Sequence, residues 1–518
     1  MYGINWGLES GYGHYLNFQP DEFISMRGML PIDIFKGKLQ APGAYFEGTF
    51  NYYLWSIPET LHRLITGAPP LRSDVIPVDR CAFILLTGRL LTVVFDLATI
   101  IGLYAIILAL TTSRAAALLG SFVYGILPMQ VIYAHFMRTH VLSNLLCVGV
   151  IWLSLIALKH RRWWLYVAAG LVAGLGGATR YPVAVILSIP FFLVLFAGQS
   201  EDGHGLTRLT AGARRLLVGP VWFLAAGFVF GLFLGAPMLF LDFRTVAHTI
   251  STETLHYVPP GATKMFDFTP LLKYFSTLIP YASYPLLWIV LYLAAAAVFL
   301  RRSLWPIVLP LFLFSALYTY PMAKGYIVVF ARQVMLLLPV FCIFLGLAAK
   351  FALDKTRERP SVVRGLAGLI TLLILPTVAF DVAYDRAMSR GDVRETLRHD
   401  LTAVLKDTSS ATIGVSESGG YFYTVMPAVF PLNGGRVEVR LQKASEPADY
   451  FVVGFERPLA DGWRQYQIKQ VEKAGMFRFV KSYSRSPHPF GMPLDISEFP
   501  PDMTYPFPMI LLFRKAGG

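Results

Sequence analysis

The chain has 518 residues, of which 55% are hydrophobic and only 15% are charged. This composition is too apolar for an ordinary soluble domain, and the length exceeds that of one typical domain. The formal net charge of +13 is compatible with nucleic-acid binding, but the basic residues cluster in short loops between apolar runs, which indicates membrane topology. We therefore expect a polytopic α-helical membrane protein that partners the lipid bilayer and no nucleic acid.

Residues 1–81 form an aromatic-rich first segment without the basic and apolar regions of a cleavable signal peptide. Two adjacent carboxylates, Asp21 and Glu22, follow Pro20 in this segment. The pair fits the first turn of a helix, where acids are favoured, and it also fits base catalysis or metal binding at a membrane surface. The apolar stretch Tyr52–Ile65 is interrupted by polar residues and is too short to span, so we predict a helix in the membrane interface.

Residues 82–382 form the predicted transmembrane domain, because they contain ten apolar runs. The predicted spans are about 83–110, 115–134, 141–158, 163–179, 181–198, 218–240, 278–300, 304–320, 332–349 and 365–382. Alternate loops carry fourteen basic residues in one set and seven in the other. Because positive charge stays on the cytoplasmic side, both ends of the chain are predicted to lie outside. A chain that starts outside without a leader also leads us to expect a further span upstream of Met1.

Residues 383–518 are no longer membrane-like and predict a small extracytoplasmic α/β domain. Residues 392–406 have the pattern of an amphipathic helix, with its leucines along one face. The strand-like runs that follow are Ala411–Val415, Val437–Leu441, Tyr450–Phe455, Phe477–Lys481 and Met509–Phe513.

Short motifs along the chain resemble those of one family. They are Gly-Ile-Asn-Trp-Gly-Leu at 3–8, Pro20-Asp21-Glu22, Gly88-Arg89-Leu90-Leu91, Pro128 with His135 and Thr139, Gly174 with Gly177-Ala178-Thr179-Arg180-Tyr181, Pro237 with Leu241-Asp242, and Arg332 with Leu338-Pro339. In this order they resemble the bacterial C-type (GT-C) glycosyltransferases that include protein O-mannosyltransferases and lipid A aminoarabinose transferases. The resemblance implies a GT-C-like membrane core that transfers a sugar from a polyprenyl-phosphate donor to a lipid, glycan or protein acceptor on the outer face of the inner membrane.

The resemblance also implies that Asp21, with Glu22 beside it, is the catalytic element. An acceptor hydroxyl attacks poorly unless a base takes its proton as the new bond forms, and a carboxylate can do this. The leaving lipid phosphate develops negative charge, which calls for cations. Basic residues at the predicted external ends of spans form a candidate phosphate clamp, although each one singly also fits an interfacial anchor. They are Arg138, Arg180, Lys324 and Arg332.

Two positions depart from the family pattern. His140 stands where related chains carry an acid, and it fits a ligand as well as a structural histidine; Arg180 stands where lysine is common, which keeps the charge. His248 and His256, about two helical turns apart, are candidate ligands or acceptor contacts, although such a set more often belongs to a solvated loop. A divalent cation, Mg²⁺ or Mn²⁺, is compatible with such a site but is not required by it.

Two other functions stay open from the sequence. A transporter or flippase for lipid-linked saccharides would place ionisable residues inside spans, and Asp96 and Asp381 are such residues. A non-catalytic assembly partner in envelope biogenesis would need no catalytic base. The acids concentrated in the first loop favour the enzyme.

Overall fold

The computed structural model describes residues 3–8, 18–41, 44–70, 76–196, 219–257, 269–325, 330–356, 358–417, 421–432 and 436–517. Contacts divide the chain into two compact units, each assembled from separate stretches. The terminal unit comprises Met1–Met26, Leu71–Thr87 and Ala379–Gly518, and the membrane unit comprises Arg27–Pro70 and Gly88–Val378. The division into segments 1–81, 82–382 and 383–518 stays a prediction about functional regions.

Helices follow one another with short connections over most of the chain up to Leu405. They are α1 (Pro20–Met29), α2 (Phe50–Thr66), α3 (Val78–Thr111), α4 (Arg114–Gly125), α5 (Pro128–Ala134), α6 (Thr139–His160), α7 (Trp163–Thr179), α8 (Ser188–Phe196), α9 (Pro220–Gly235), α10 (Met238–Leu241), α11 (Phe243–Tyr257), α12 (Thr269–Lys273), α13 (Ile279–Ala282), α14 (Leu287–Phe299), α15 (Trp305–Gly325), α16 (Leu338–Thr356), α17 (Pro360–Ser389) and α18 (Val393–Leu405). The 3₁₀ runs Tyr181–Leu187 and Ala331–Leu337 lead directly into α8 and α16. The helix predicted over Tyr52–Ile65 lies within α2.

The predicted apolar runs are helical over their described residues. Among the described residues, five helices are long and apolar enough to cross a bilayer, and α4 with α5 adds a sixth span if their 60° bend lies within one crossing. Four shorter apolar helices account for the other runs: Trp163–Thr179, Tyr181–Phe196, Pro220–Gly235 and Leu287–Phe299. The predicted fold class, a polytopic helical membrane protein with a small C-terminal α/β domain, is confirmed.

Helices α7 and α9 approach each other backbone to backbone because glycines line both of them. A Cβ atom on Gly170 would lie 2.1 Å from the Leu224 carbonyl oxygen, and one on Gly174 would lie 2.1 Å from that of Phe228. Small residues permit this approach in a membrane, where van der Waals packing rather than the hydrophobic effect drives helix association. The pair forms a rigid support for the residues that follow α7.

The stretch before α2 is held against the ends of α7 and α9. The Thr49 hydroxyl donates a hydrogen bond of 2.7 Å to the carbonyl oxygen of Gly235, which ends α9. Gly48 has φ +109°, and a Cβ there would lie 2.4 Å from the carbonyl oxygen of Ala178. Only glycine fits this position without strain. The neighbouring Glu47 is thereby fixed at the end of α7.

The terminal unit contains a mixed five-stranded sheet in the order β2-β1-β3-β5-β4. Its elements after α18 are β1 (Ala411–Val415), α19 (Tyr421–Thr424), α20 (Met426–Val429), β2 (Val437–Leu441), β3 (Tyr450–Phe455), α21 (Asp461–Lys473), β4 (Phe477–Tyr483) and β5 (Met509–Lys515). Strand β1 pairs in parallel with β2 and β3, whereas β5 pairs antiparallel with β3 and β4. All five predicted strands are present, and β4 and β5 each continue two residues further than predicted.

Two helices cover the two faces of this sheet. On one face, α18 packs through Leu397, Leu401 and Leu405, which are the leucines of the predicted amphipathic helix. On the other face, α21 packs through Ile468 and Val471. Helix α21 was not predicted.

A buried arginine ties the N-terminal stretch to this sheet domain within the terminal unit. The Arg394 side chain is fully buried and forms a salt bridge of 2.7 Å with Asp392. Arg394 also donates to the carbonyl oxygens of Phe18, at 3.1 Å, and Tyr505, at 3.2 Å. The Trp6 indole N–H donates to Asp392 at 2.8 Å. The buried charge is therefore matched by acceptors on distant parts of the chain.

Candidate functional site

The predicted catalytic pair begins α1 in the terminal unit. Asp21 and Glu22 lie in the first helical turn, and the Gln19 side-chain oxygen accepts a hydrogen bond of 2.7 Å from the Glu22 backbone N–H. Glu22 is buried, whereas Asp21 is half-buried. Burial is the main cause of the raised pKa of Tyr423, and nearby charged groups, among them Asp21, raise it further. A protonated phenol therefore lies within electrostatic reach of Asp21. The pair thus occupies a helix start, and its catalytic role stays a prediction.

Three predicted phosphate-binding residues gather around one histidine in the membrane unit. Arg180, Arg332 and Arg138 are the charged side chains whose fields act on His140. His140 lies in the first turn of α6, Arg138 immediately precedes that helix, and Arg180 immediately follows α7. Residues that are separate in the sequence thus meet in one place, which we call the arginine cluster (Arg138, Arg180 and Arg332 around His140).

His140 is buried at the centre of this cluster with unused hydrogen-bonding capacity. Neither of its ring nitrogens has a hydrogen-bond partner within the described part of the chain. Its ring meets the edge of the Tyr133 ring at a centroid distance of 5.0 Å. The Tyr133 hydroxyl in turn accepts a hydrogen bond of 3.2 Å from Arg332. Buried polar groups without partners are uncommon and point to a ligand or a functional role.

Glu47 supplies a carboxylate to the arginine cluster. Its Oε1 forms a salt bridge of 2.6 Å with Arg138, whose side chain is only 3% exposed. Its Oε2 accepts a hydrogen bond of 3.3 Å from the Tyr52 hydroxyl. Burial raises the pKa of Tyr52, so this phenol remains a donor. Glu47 thus pairs with one of the three guanidinium groups of the cluster.

Glu47 was not predicted as a site residue from the sequence. It lies in the first loop between aromatic Phe46 and Gly48, and an isolated acid in such a loop is an ordinary surface residue. The available signal was the glycine that follows it, because the positive φ and close approach at Gly48 mark a constrained backbone. The partner, Arg138, is 91 positions away in sequence.

Residues 85–208 match the family described as dolichyl-phosphate-mannose-protein mannosyltransferase. The predicted family resemblance is confirmed. The matched stretch contains Arg138, His140 and Arg180 of the arginine cluster. This similarity supports a membrane glycosyltransferase.

Two solved structures show distant similarity to the chain. ArnT from Cupriavidus metallidurans bound to undecaprenyl phosphate is 13% identical, with a TM-score of 0.48 over 99% of this chain and 95% of that chain. The oligosaccharyltransferase of Archaeoglobus fulgidus in the apo form is 14% identical, with a TM-score of 0.45 over 87% of this chain and 68% of that chain. No curated protein sequence matches the chain.

The remaining site residues predicted for the glycosyltransferase are not brought to the arginine cluster by any described contact. His248 lies exposed on α11. The side chains of His256 and Lys324 lie outside the described residues. Within the described ranges, no group of three or more His, Cys, Asp or Glu side chains is placed to hold a metal ion.

Asp96, the intramembrane acid that suggested transport, belongs to a polar network between helices. The Gln130 amide donates a hydrogen bond of 2.6 Å to Asp96, and the Asn144 amide donates one of 2.9 Å to Gln130. These residues join α3, α5 and α6. A buried carboxylate with such partners is accounted for by helix packing.

Proposed function

We propose that this protein transfers a sugar from a polyprenyl-phosphate donor to an acceptor hydroxyl at the outer face of the inner membrane. The observation that carries the proposal is the convergence of Arg138, Arg180 and Arg332 on the buried His140, whose two ring nitrogens have no hydrogen-bond partner within the described residues. The family that matches residues 85–208 is described by a dolichyl-phosphate-linked sugar donor, which is a polyprenyl phosphate.

The arginine cluster has the chemistry that a lipid-phosphate leaving group requires. When the sugar–phosphate bond breaks, negative charge grows on the phosphate oxygens. Guanidinium groups match phosphate geometry with two parallel hydrogen bonds, and charge-assisted bonds of this kind are about twice as strong as neutral ones. Cations placed in advance stabilise this charge without reorganising during the reaction. We assign donor-phosphate binding to Arg138, Arg180 and Arg332.

Glu47 is assigned a positioning role within this site. Its salt bridge with Arg138 at 2.6 Å and its hydrogen bond from Tyr52 fix one guanidinium edge. This carboxylate offsets the charge of Arg138. His140, with two unpartnered ring nitrogens, is assigned a contact with the donor phosphate or sugar.

Asp21 is assigned as the general base, with Glu22 beside it. Its half-buried carboxylate in the first turn of α1 is accessible, in contrast to the buried Glu22. A positioned base contributes about 10²–10⁴-fold to the rate of such a proton transfer. A divalent cation, Mg²⁺ or Mn²⁺, stays part of the proposal as an optional cofactor for the phosphate.

The proposal is tested with the purified full chain and a panel of polyprenyl-phosphate sugars, by following release of the lipid phosphate. We expect wild-type protein to turn over one donor, Asp21→Asn to lose about 10²–10⁴-fold of the rate while still binding donor, and Arg180→Gln to lose donor binding as well. Arg244→Gln, an exposed arginine on α11, is the matched control and should behave as wild type.

Parallel reactions with chelator test the cation. Donor binding that survives Arg180→Gln and Arg332→Gln unchanged would contradict the assignment of the phosphate site. Full turnover by Asp21→Asn would remove Asp21 as the base while leaving the phosphate site intact. Donor binding without turnover, with a cell-envelope extract supplied as acceptor, would favour transport or assembly.

A further inference from the structure

A second basic site lies in the terminal unit, at the end of α17. A depression of about 380 Å³ is lined by Arg386, Arg390, Arg485 and His488, with Ala383 and Ala387 at its base. Its volume lies within the range of about 300–1,000 Å³ that is usual for small-ligand pockets. We call it the basic pocket. None of its residues belongs to the proposed transferase machinery.

The basic pocket concentrates positive charge, and its described lining residues include no carboxylate. Arg386 is exposed in the last turn of α17, and Arg390 is exposed just beyond the helix end. Asp381 is buried on α17, and at roughly 100° per residue it lies about 140° around the helix from Arg386. This acid therefore faces away from Arg386. Arginines held close together repel one another, and an anion relieves that repulsion.

Arg485 lines the basic pocket, and hydrogen bonds to backbone carbonyl oxygens hold its side chain in place. Its Nη1 donates to the carbonyl oxygen of Ala387 at 3.4 Å and to that of Gly391. These carbonyls lie at the C-terminal end of α17, where a cation is favoured by the helix dipole. Guanidinium carries five N–H donors, so bonds from one nitrogen leave donors for an anion.

The basic pocket lies where a candidate membrane span ends. The apolar part of α17 ends near Ala383. Arg386 follows about 5 Å further along the helix axis, given a rise of 1.5 Å per residue, and Arg390 lies just beyond the helix end. That is the depth of lipid headgroups relative to the hydrocarbon core. Arginines in this position interact with anionic headgroups.

Two large apolar side chains adjoin the basic pocket. Phe490 is 64% exposed and Met492 is 65% exposed, on either side of the lining residue Gly491. Phe490 has φ +53° and Gly491 φ +80°. Exposed apolar residues beside basic ones are typical of a surface that enters the membrane interface.

We propose that the basic pocket binds the phosphate headgroup of an anionic bilayer phospholipid, with Phe490 and Met492 entering the interface beside it. Charge, the position at the end of α17 and the adjoining apolar pair carry this assignment together. Such a lipid would hold the terminal unit at a fixed depth at the membrane surface. The proposal is independent of the donor site and does not require transferase activity.

The test measures lipid retained by the full chain after detergent extraction, by native mass spectrometry, from bilayers of phosphatidylglycerol mixed with phosphatidylcholine. We expect wild-type protein to retain phosphatidylglycerol selectively. Arg386→Gln/Arg390→Gln should lose about 25-fold in affinity, since each basic residue near a membrane surface contributes about fivefold. Arg386→Lys/Arg390→Lys should keep most of it. The matched control is Arg436→Gln/Arg478→Gln, which removes two exposed arginines of the same unit outside the pocket.

Two further arms separate the source of the phosphate. Phe490→Ser/Met492→Ser should weaken phosphatidylglycerol retention, and soluble glycerol 3-phosphate at millimolar concentration should not displace the lipid. Displacement by glycerol 3-phosphate, with no effect of the apolar substitutions, would overturn the lipid assignment in favour of a soluble phosphate. Equal loss in the pocket and control variants would overturn the site itself. If the glutamine variant does not fold, the lysine and serine variants decide the same question.

Discussion

Two buried arginine–carboxylate pairs differ in what surrounds them. Arg394 forms a salt bridge with Asp392 in the terminal unit and also donates hydrogen bonds to backbone carbonyl oxygens of distant segments. Arg138 bonds Glu47 in the membrane unit, but two more guanidinium groups, those of Arg180 and Arg332, share its neighbourhood. In the first arrangement, protein groups satisfy the buried charge. The second gathers three guanidinium groups around His140, whose ring nitrogens have no hydrogen-bond partner within the described residues.

This difference separates a structural pair from a binding site. A buried ion pair holds its place only when its hydrogen-bonding groups are satisfied, because desolvation costs several kcal/mol per ion. Arg394 meets that condition with protein groups alone. The arginine cluster leaves the two ring nitrogens of His140 without a partner in the described part of the chain, which is the capacity that a ligand would use. Unused hydrogen-bonding capacity, rather than burial, is therefore the feature that marks the candidate site.

The largest expected effect is on the buried pair of Arg394 and Asp392. Arg394→Met leaves the buried carboxylate of Asp392 without its cation, and breaking a buried pair this way costs about 3–5 kcal/mol of unfolding free energy. We expect loss of protected amides in the sheet of the terminal unit, measured by hydrogen exchange on the full chain. Arg478→Met, at an exposed position on β4, is the control and should change stability by less than about 0.5 kcal/mol. Unchanged protection in Arg394→Met would remove the distinction between the two pairs.

The next effect is on the arginine cluster. Arg332→Gln should leave the protein folded and reduce turnover by about 10²–10³-fold, the usual cost of removing one preorganised donor to a developing anion. Glu47→Gln should cost less, because it leaves all three guanidinium groups in place and removes only the carboxylate that positions Arg138. Steady-state kinetics with thermal unfolding of the same samples checks this order. A larger loss for Glu47→Gln would make Glu47 a participant in the chemistry.

A third, smaller effect probes the support beneath the cluster. Gly174→Val adds bulk where even a Cβ would lie 2.1 Å from the Phe228 carbonyl oxygen, and overpacking of this kind costs about 1–3 kcal/mol. Because α7 ends just before Arg180, we expect weaker donor binding together with a lower unfolding temperature. Gly368→Val, on α17 where nothing lies within 4 Å of the added Cβ, is the matched control. Equal effects of both substitutions would show that helix propensity, not close packing, is responsible.

Periodicity and composition were sufficient for most of the fold. The apolar runs and the five strands appear where they were predicted, since burial leaves a direct mark on local sequence. Helix α21 was not predicted because its apolar residues do not form one buried stripe. Ile468 and Val471 are buried, while Trp463 and Tyr466 are exposed. A helix that covers a sheet through only two buried residues has no detectable period.

The candidate site was open to prediction only in part. Arg138, Arg180 and Arg332 were predicted as phosphate-binding residues because span ends are visible in the sequence, and that role stays a prediction. The salt bridge of Glu47 with Arg138 was not predictable, since nothing local to either residue specifies a partner 91 positions away. Pairings between loops depend on packing such as that of Gly48 on α7, which only the folded chain supplies.

The smallest effect comes from a third type of pair, one at the surface. Asp400 accepts hydrogen bonds of 2.8 Å from Lys481 and from the Tyr483 hydroxyl, and these two donors hold the pKa of Asp400 below its usual value. A depressed folded-state pKa means that the stabilisation is present above the unfolded pKa of about 3.9 and is lost as pH falls through the folded value. The Asp400 side chain is 34% exposed, so solvent screening limits the contribution to a few tenths of a kcal/mol.

Asp400→Asn should therefore lower the unfolding temperature slightly at pH 7 and leave it unchanged near pH 2, where the wild-type carboxyl is protonated. Lys406→Gln, on an exposed lysine just after α18, controls for the loss of one charge. A difference that persists at low pH would indicate that Asp400 acts through packing rather than charge. The burial and the hydrogen-bond partners of the three pairs would then not be enough to rank their effects, because the exposed carboxylate of Asp400 would stabilise the fold without its charge.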